Sequence, residues 1–224
     1  VDHGHSHHHR NNGLDSESKW GERKWAMCRI PRQIADRLPA AADLFADKGL
    51  NDSKIEDVAA ATGVPKATLY YYFAGKEEIL AFLLEDLLKD ISDAVTAIVQ
   101  TDGTGAERLE LVIRAQLRAM AQRPAVCRAL IGELGRAARM PVIADMINTA
   151  YQRPVEALLI AGARDGSLVA QTDARSTSIA LFGAVTINAL MYLVTESQLN
   201  EAVVAGTLTA VMFDGLRPRR GDQP

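Results

Sequence analysis

Aromatic residues make up only 5% of this chain, cysteines number two, and no uninterrupted apolar run reaches the length of a bilayer span. Even Ile187 to Val194, among the longest apolar stretches, is interrupted by Asn188. Cys28 and Cys127 stand in unrelated contexts without CxxC or metal-ligand spacing, which excludes a disulfide framework and fits a reducing compartment. No apolar signal core precedes Trp20, so the expected location is cytoplasmic, with no membrane partner. An excess of positive charge is missing too: 25 Lys and Arg face 28 Asp and Glu, for a net charge of -3. Any nucleic-acid binding must therefore come from local placement of cations. Sustained two-residue alternation is absent, which argues against a sheet. Outside the first few residues there is no carboxylate pair, histidine cluster or nucleophile motif, so neither an enzyme, a metal site nor a cofactor is expected.

What is present is helical periodicity over 224 residues, enough to bury a sizeable core. Residues 1–30 read as a disordered tail and basic lead-in. His3, His5, His7, His8 and His9 form a tract that reads as a tag or an incidental metal binder. Lys19, Arg23, Lys24, Arg29 and Arg32, with Trp20 and Trp25 interleaved, suit either a phosphate backbone or a solvated arm. From Ile34 the apolar positions Leu38, Ala41, Ala42 and Phe45 recur at helical spacing up to Gly49, a candidate left-handed cap, with a start or a kink at Pro39. Ser53 with Glu56 predicts a capping box for a second helix closed by Gly63; a third starts at Pro65. A longer fourth opens at Lys76 and buries Ile79, Leu80, Leu83, Leu84, Leu87 and Leu88. Breaks at Asp102 to Gly105, Pro124, Pro141, Gly166 and near Ser197 divide the remainder into roughly five more, about nine helices in all. The predicted domains are 31–75 and 76–217, with a disordered tail over 218–224.

The segment IEDVAAATGVPKATLY has the grammar of a helix-turn-helix. Ala59 permits a close crossing, Gly63 supplies a turn, and Val64 and Leu69 anchor the second helix on the first. It runs into TLYYYFAGK, which holds three of the five tyrosines. At about 100° per residue, Leu69 and Phe73 share one inward face, while Tyr70, Tyr71 and Tyr72 fan across roughly 200°. They cannot all be buried. Lys66 and Thr68, near this helix's N-terminus, are candidates for base-edge contacts, and Ala67 allows close approach. Ser53 is placed to donate to a phosphate and Lys54 to add charge.

GVPKATLYYYFAGKEEIL, preceded by AADLFADKGLNDSKIEDVAAA, resembles the DNA-binding domain of tetracycline-repressor (TetR) family transcriptional regulators, over Ile34 to Leu88. The resemblance implies an all-α homodimer: an N-terminal three-helix head on operator DNA and a C-terminal helical domain that binds small effectors and dimerises. It assigns Tyr70, Tyr71 and Tyr72 to backbone and groove contacts and Lys76 to a phosphate clamp. Two positions depart from the family pattern: Pro65 stands where a phosphate-touching serine is common, and Glu56 where an arginine sometimes reads bases.

In the second half, Met120, Cys127, Met146, Tyr151, Phe182, Thr186, Asn188 and Tyr192 are candidates to line a site for a small apolar or amphipathic effector. Arg128 beside Cys127 raises the alternatives of a redox sensor and an inert buried thiol. The last two helices are nearly free of charge, so they need cover on more than one side. That cover is either the monomer core or a second copy, with Ile179, Gly183, Ala184, Ile187, Val204, Leu208, Val211 and Met212 as the dimerisation candidates. The function expected is a repressor released from a pseudo-palindromic operator by an effector; the alternative is an architectural or adaptor DNA-binding dimer without a ligand.

Overall fold

The computed structural model describes residues 30–196 and 198–216, which are helical with no strand among them. The tail residues His3, His5, His7, His8 and His9, the lead-in from Lys19 to Arg29, Ser197 and 218–224 lie outside the described residues.

Proline opens the first departure from a simple helical reading. Residues Arg32–Ala35 form a single turn, α1, and α2 spans Ala40–Lys48. Between them Pro39, lacking an N–H, cannot continue α1; instead its carbonyl accepts from Ala42 N–H at 3.0 Å and starts α2 afresh. Gly49 has φ 77° but ψ 158°, so it ends α2 by turning into an extended backbone, not through the expected left-handed cap. Gly63, at φ 69° and ψ 11°, does take the left-handed form after α3 (Ile55–Thr62). Helix α4 is Lys66–Tyr72, with Pro65 immediately before it.

Helix α5 (Lys76–Val99) is the spine. Its leucine-rich face is buried, each leucine contributing about 2 kcal/mol on removal from water. Its first turns reach into the head, where Phe73 meets Phe82 edge-on at 6.1 Å. Helix α6 (Gly105–Ala121) starts from a capping box in which Thr104 Oγ1 accepts from Glu107 N–H and Glu107 accepts from Thr104 N–H. It runs through the centre of the body, against α5, α10, α11 and α12. Helix α7 is Pro124–Gly132 and α8 the single turn Leu134–Ala137. Helix α9 (Pro141–Ile147), a π-turn at Asn148–Gln152 and α10 (Arg153–Asp165) make one rod over 141–165. Helix α11 is Ala174–Thr195, capped by Asp173. Helix α12 (Glu201–Leu208) continues through a second π-turn, Thr209–Phe213, into α13 (Asp214–Leu216). The all-α expectation holds; the segments outnumber the expected nine because π-turns divide two rods and α1 and α8 are single turns.

Helix α11 has the length and mean hydropathy, 1.8, of a membrane span, which a search for unbroken apolar runs misses because its serines and threonines barely lower the mean. Its packing against α6, α7 and α10 leaves one side exposed.

Candidate functional site

The head is held by side chains that the loop 49–53 gathers inward. Ser53 is buried and its hydroxyl donates to Gly49 C=O at 2.7 Å. This corrects two expectations: Ser53 does not cap α3, and its donor is already committed instead of facing a phosphate. The cap lies one residue on, where Asp57 Oδ2 accepts from Lys54 N–H at 3.0 Å, a bond that holds the Asp57 carboxyl below its ordinary value. Lys54 itself is exposed. Lys76 Nζ donates to the carbonyls of Asn51 (3.0 Å) and Ser53 (2.8 Å), tying the start of α5 to the same loop. Carbonyl partners leave its positive charge uncancelled.

Leu69 on α4 and Phe73 just past its end face the core, as the helical wheel requires. Tyr71 is 81% exposed and Tyr70 53%, with Lys66 and Ala67 beside them and Thr68 half-buried. Tyr72 is half-buried against the core and meets Tyr71 edge-on at 4.9 Å. The outward fan therefore consists of two tyrosines, and Tyr72 is the packing residue. Lys66 bonds to Glu56 across the turn and lies 5.8 Å from the Tyr70 ring centroid. Their contact lowers the Glu56 pKa and raises that of Lys66, so both are charged at neutral pH. Glu56 thus holds the lysine that opens α4.

The body contains a cavity of about 160 Å³. Its wall comes from five places: Leu84, Leu87, Leu88 and Ile91 of α5; Gln116 and Met120 of α6; Leu130 of α7 with Leu134, Ala137 and Ala138 in and after α8; Ile143 and Ile147 of α9; and Phe182 and Thr186 of α11. No ionisable side chain is among them. Gln116 Nε2 donates to Thr186 Oγ1 at 2.8 Å, and Gln116 Oε1 is buried without a partner.

Of the effector candidates, Met120, Phe182 and Thr186 reach this wall; Cys127, Met146, Tyr151, Asn188 and Tyr192 do not. Tyr151 is fully buried with its ring 5.1 Å from that of Phe182, and burial pushes its phenol pKa up. Cys127 is buried, its Sγ 3.6 Å from Met120 C=O. Loss of solvation raises its thiol to about 12 despite Arg123 and Arg128, which corrects the redox-sensor alternative in favour of an inert thiol. Among the described residues no group of three or more potential ligands could hold a metal.

The segment that closes the cavity also grips the head. Glu133, between α7 and α8, accepts from Leu50 N–H at 3.3 Å and from Arg136 Nε at 2.9 Å. Arg136 donates to Asn51 Oδ1 at 2.7 Å and lies 3.7 Å from Glu77, while Arg128 reaches Asp43 at 3.5 Å. Helix α2 packs along α7 between these points.

On the outer side, Ile179, Ile187, Met191 and Val194 of α11 and Val203 of α12 are exposed, as is Val211 in the π-turn that follows. Gly183 and Ala184 are partly exposed, and Met212 is half-buried. Val204 and Leu208 are buried, a correction to their assignment as interface residues: they face the monomer core because α12 turns that stripe toward α6. Added Cβ atoms at Gly183 and Gly206 would meet nothing within 4 Å, so the backbone is approachable there.

Residues 38–82 match the family model described as bacterial regulatory proteins, tetR family, and residues 102–189 match the tetracyclin repressor-like C-terminal domain. The fatty acid metabolism regulator protein of Bacillus subtilis is 20% identical over 182 residues, 80% of this chain and 93% of the relative. The HTH-type transcriptional repressor KstR2 of Mycobacterium tuberculosis is 32% identical over 98 residues, 42% of this chain and 49% of that protein. The solved structure of the M. tuberculosis ketosteroid regulator KstR2 shares the fold with a TM-score of 0.67 at 21% identity, over 85% of this chain and 98% of that one. B. subtilis FadR in complex with stearoyl-CoA also gives 0.67, at 21% identity over 82% and 97%.

Proposed function

The chain belongs to the tetR family of bacterial regulatory proteins, and from that premise we propose a cytoplasmic, homodimeric repressor that leaves a pseudo-palindromic operator when an apolar or amphipathic effector enters the cavity. The carrying observation is that one short segment, residues 133–138, both walls the cavity and bonds to the head. A filled body would have favoured the architectural or adaptor dimer; a cavity coupled to the head favours the sensor.

In this reading Tyr70, Tyr71, Lys66, Ala67 and Thr68 enter the major groove, with Lys54 and Lys76 near the phosphates. The α11 and α12 faces join two copies so that their α4 helices lie about 34–36 Å apart, one turn of DNA. An occupant pressing on Leu134 and Ala137 shifts Glu133 and Arg136, which reposition loop 49–53. Operator affinity then falls by the ligand's differential affinity for the two arrangements.

Selection of bound DNA from a random library, followed by release with fatty acyl and steroid compounds, tests the function. Release is the expected outcome. If compounds that load the cavity leave operator affinity unchanged, the adaptor reading replaces the sensor. Arg136→Ala should retain operator binding and cavity loading while losing most of the release; an undiminished response would refute the coupling route.

A further inference from the structure

On the reading of α4 as the helix that enters the major groove, we infer that Glu56 determines sequence selectivity: it holds Lys66 away from the phosphates, so that this lysine serves the operator and adds nothing to binding of other DNA. Lys66 opens α4 and Glu56 is the second residue of α3, and the turn through Gly63 folds one back on the other until Lys66 Nζ donates to Glu56 Oε1. The Tyr70 ring, its centroid 5.8 Å from the ammonium, meets it from one turn along α4. The lysine is held from two sides. Both charged side chains stay about half in water, 49% and 59% exposed, where an ion pair does little for stability. Support of the fold does not explain it.

The lysines that this reading sets against DNA are of two kinds. Lys76 donates to two carbonyls and Lys54 is exposed without an ion pair among the described residues, so both present their full charge. Of the three, Lys66 alone is paired with a carboxylate among the described residues. In a chain of net charge -3, affinity for DNA of any sequence comes from such local cations, and each one that neutralises a phosphate steepens the salt dependence by about one. A lysine stem is flexible, so an unheld ammonium at the first residue of α4 would swing to the nearest phosphate. That contact carries no sequence information. The first residues of a recognition helix also reach base edges, and an ammonium with one donor given to Glu56 keeps two for a base acceptor. Glu56 therefore subtracts from binding to all DNA and spares the operator contact.

Affinity measured against salt concentration, for the duplex selected from a random library and for a scrambled duplex, tests this with the full chain, Glu56→Gln and the double variant Glu56→Gln/Lys66→Met. Glu56→Gln should steepen the scrambled-duplex slope by about one and tighten that complex about eightfold at 0.1 M salt, the factor that one more neutralised phosphate supplies. The selected duplex should gain less, so the ratio of the two affinities should fall several-fold. Adding Lys66→Met should return the scrambled-duplex slope to its wild-type value. Glu56→Ala, which also removes the carboxylate, should reproduce Glu56→Gln. An unchanged slope in both Glu56 variants, an equal gain on the two duplexes, or a steeper slope that survives Lys66→Met would each overturn the inference. The last would assign the gain to loss of a negative charge alone. Any of these with tight wild-type binding leaves α4 in the groove and removes only the role of Glu56. A wild-type chain that binds neither duplex overturns both.

Discussion

The head and the body put their informative residues in opposite places. In the head, the side chains that distinguish this chain lie on the surface: Tyr71 and Tyr70 are exposed, Lys66 is paired across the turn, and only Leu69, Phe73 and half of Tyr72 serve the core. In the body, the distinguishing residues are inside, where Gln116 and Thr186 interrupt an apolar wall and Cys127 is inert. A surface that must meet a polyanion can be altered with little loss of stability. A cavity cannot, because its wall is also the core.

That contrast can be broken in order of expected effect. Gly105→Ala should cost about 3 kcal/mol of stability, because a Cβ there would stand 2.3 Å from Gly162 N and 2.4 Å from its Cα, backbone that cannot step aside. Thermal unfolding checks it, and an unchanged midpoint would mean that α6 and α10 cross more loosely than described. Tyr71→Ala should weaken operator binding by about 2 kcal/mol, roughly thirtyfold, through loss of a hydrogen bond to charged phosphate, with the unfolding midpoint unmoved. Tyr72→Ala should instead lower the midpoint; equal stability losses in the two variants would erase the distinction between them. Lys76→Ala should weaken binding to all sequences and reduce the slope of affinity against salt by about one. The smallest effect is at Asp165, whose carboxyl is held below its ordinary value first by Ser167 and then by the Gly105 N–H. A depressed folded-state pKa contributes stability above the unfolded value, near 4, and that contribution is lost as pH falls through the lower folded value. Asp165→Asn should therefore flatten the acid limb of a stability-versus-pH curve.

The head was legible because its grammar is local: cap, turn and recognition helix follow within about twenty residues, and the wheel orients each. Ser53 escaped because its partner, Gly49 C=O, is brought near only by an unusual backbone at Gly49. The cavity was legible in type and not in detail. Its leucines look like any core leucines, and six helical segments must converge before they form one wall. One signal was available, since Gln116 is a polar residue on an otherwise apolar stripe of α6. At the proposed dimer face, Ile179, Gly183 and Ile187 follow one stripe of α11. In α12, with no charge after its first residue, Glu201, to mark the outer side, Val204 and Val203 could not be told apart.

The π-turn at Asn148–Gln152 has a further consequence for the rod over 141–165. Ile143, Ile147, Tyr151, Val155 and Leu159 follow one another at intervals of four, and all pack in the core. In a regular α-helix each such step drifts by about 40°, so the row would slide by about 160°, nearly to the opposite side. Widening a single turn takes up much of that slippage, in the way a leap day keeps a calendar in season. Making 148–152 regular with every residue kept would swing Val155 and Leu159 away by about 100°, whereas deleting one residue there would leave a regular helix with both still facing the core. The rod therefore carries one residue more than a regular helix with the same facing would need.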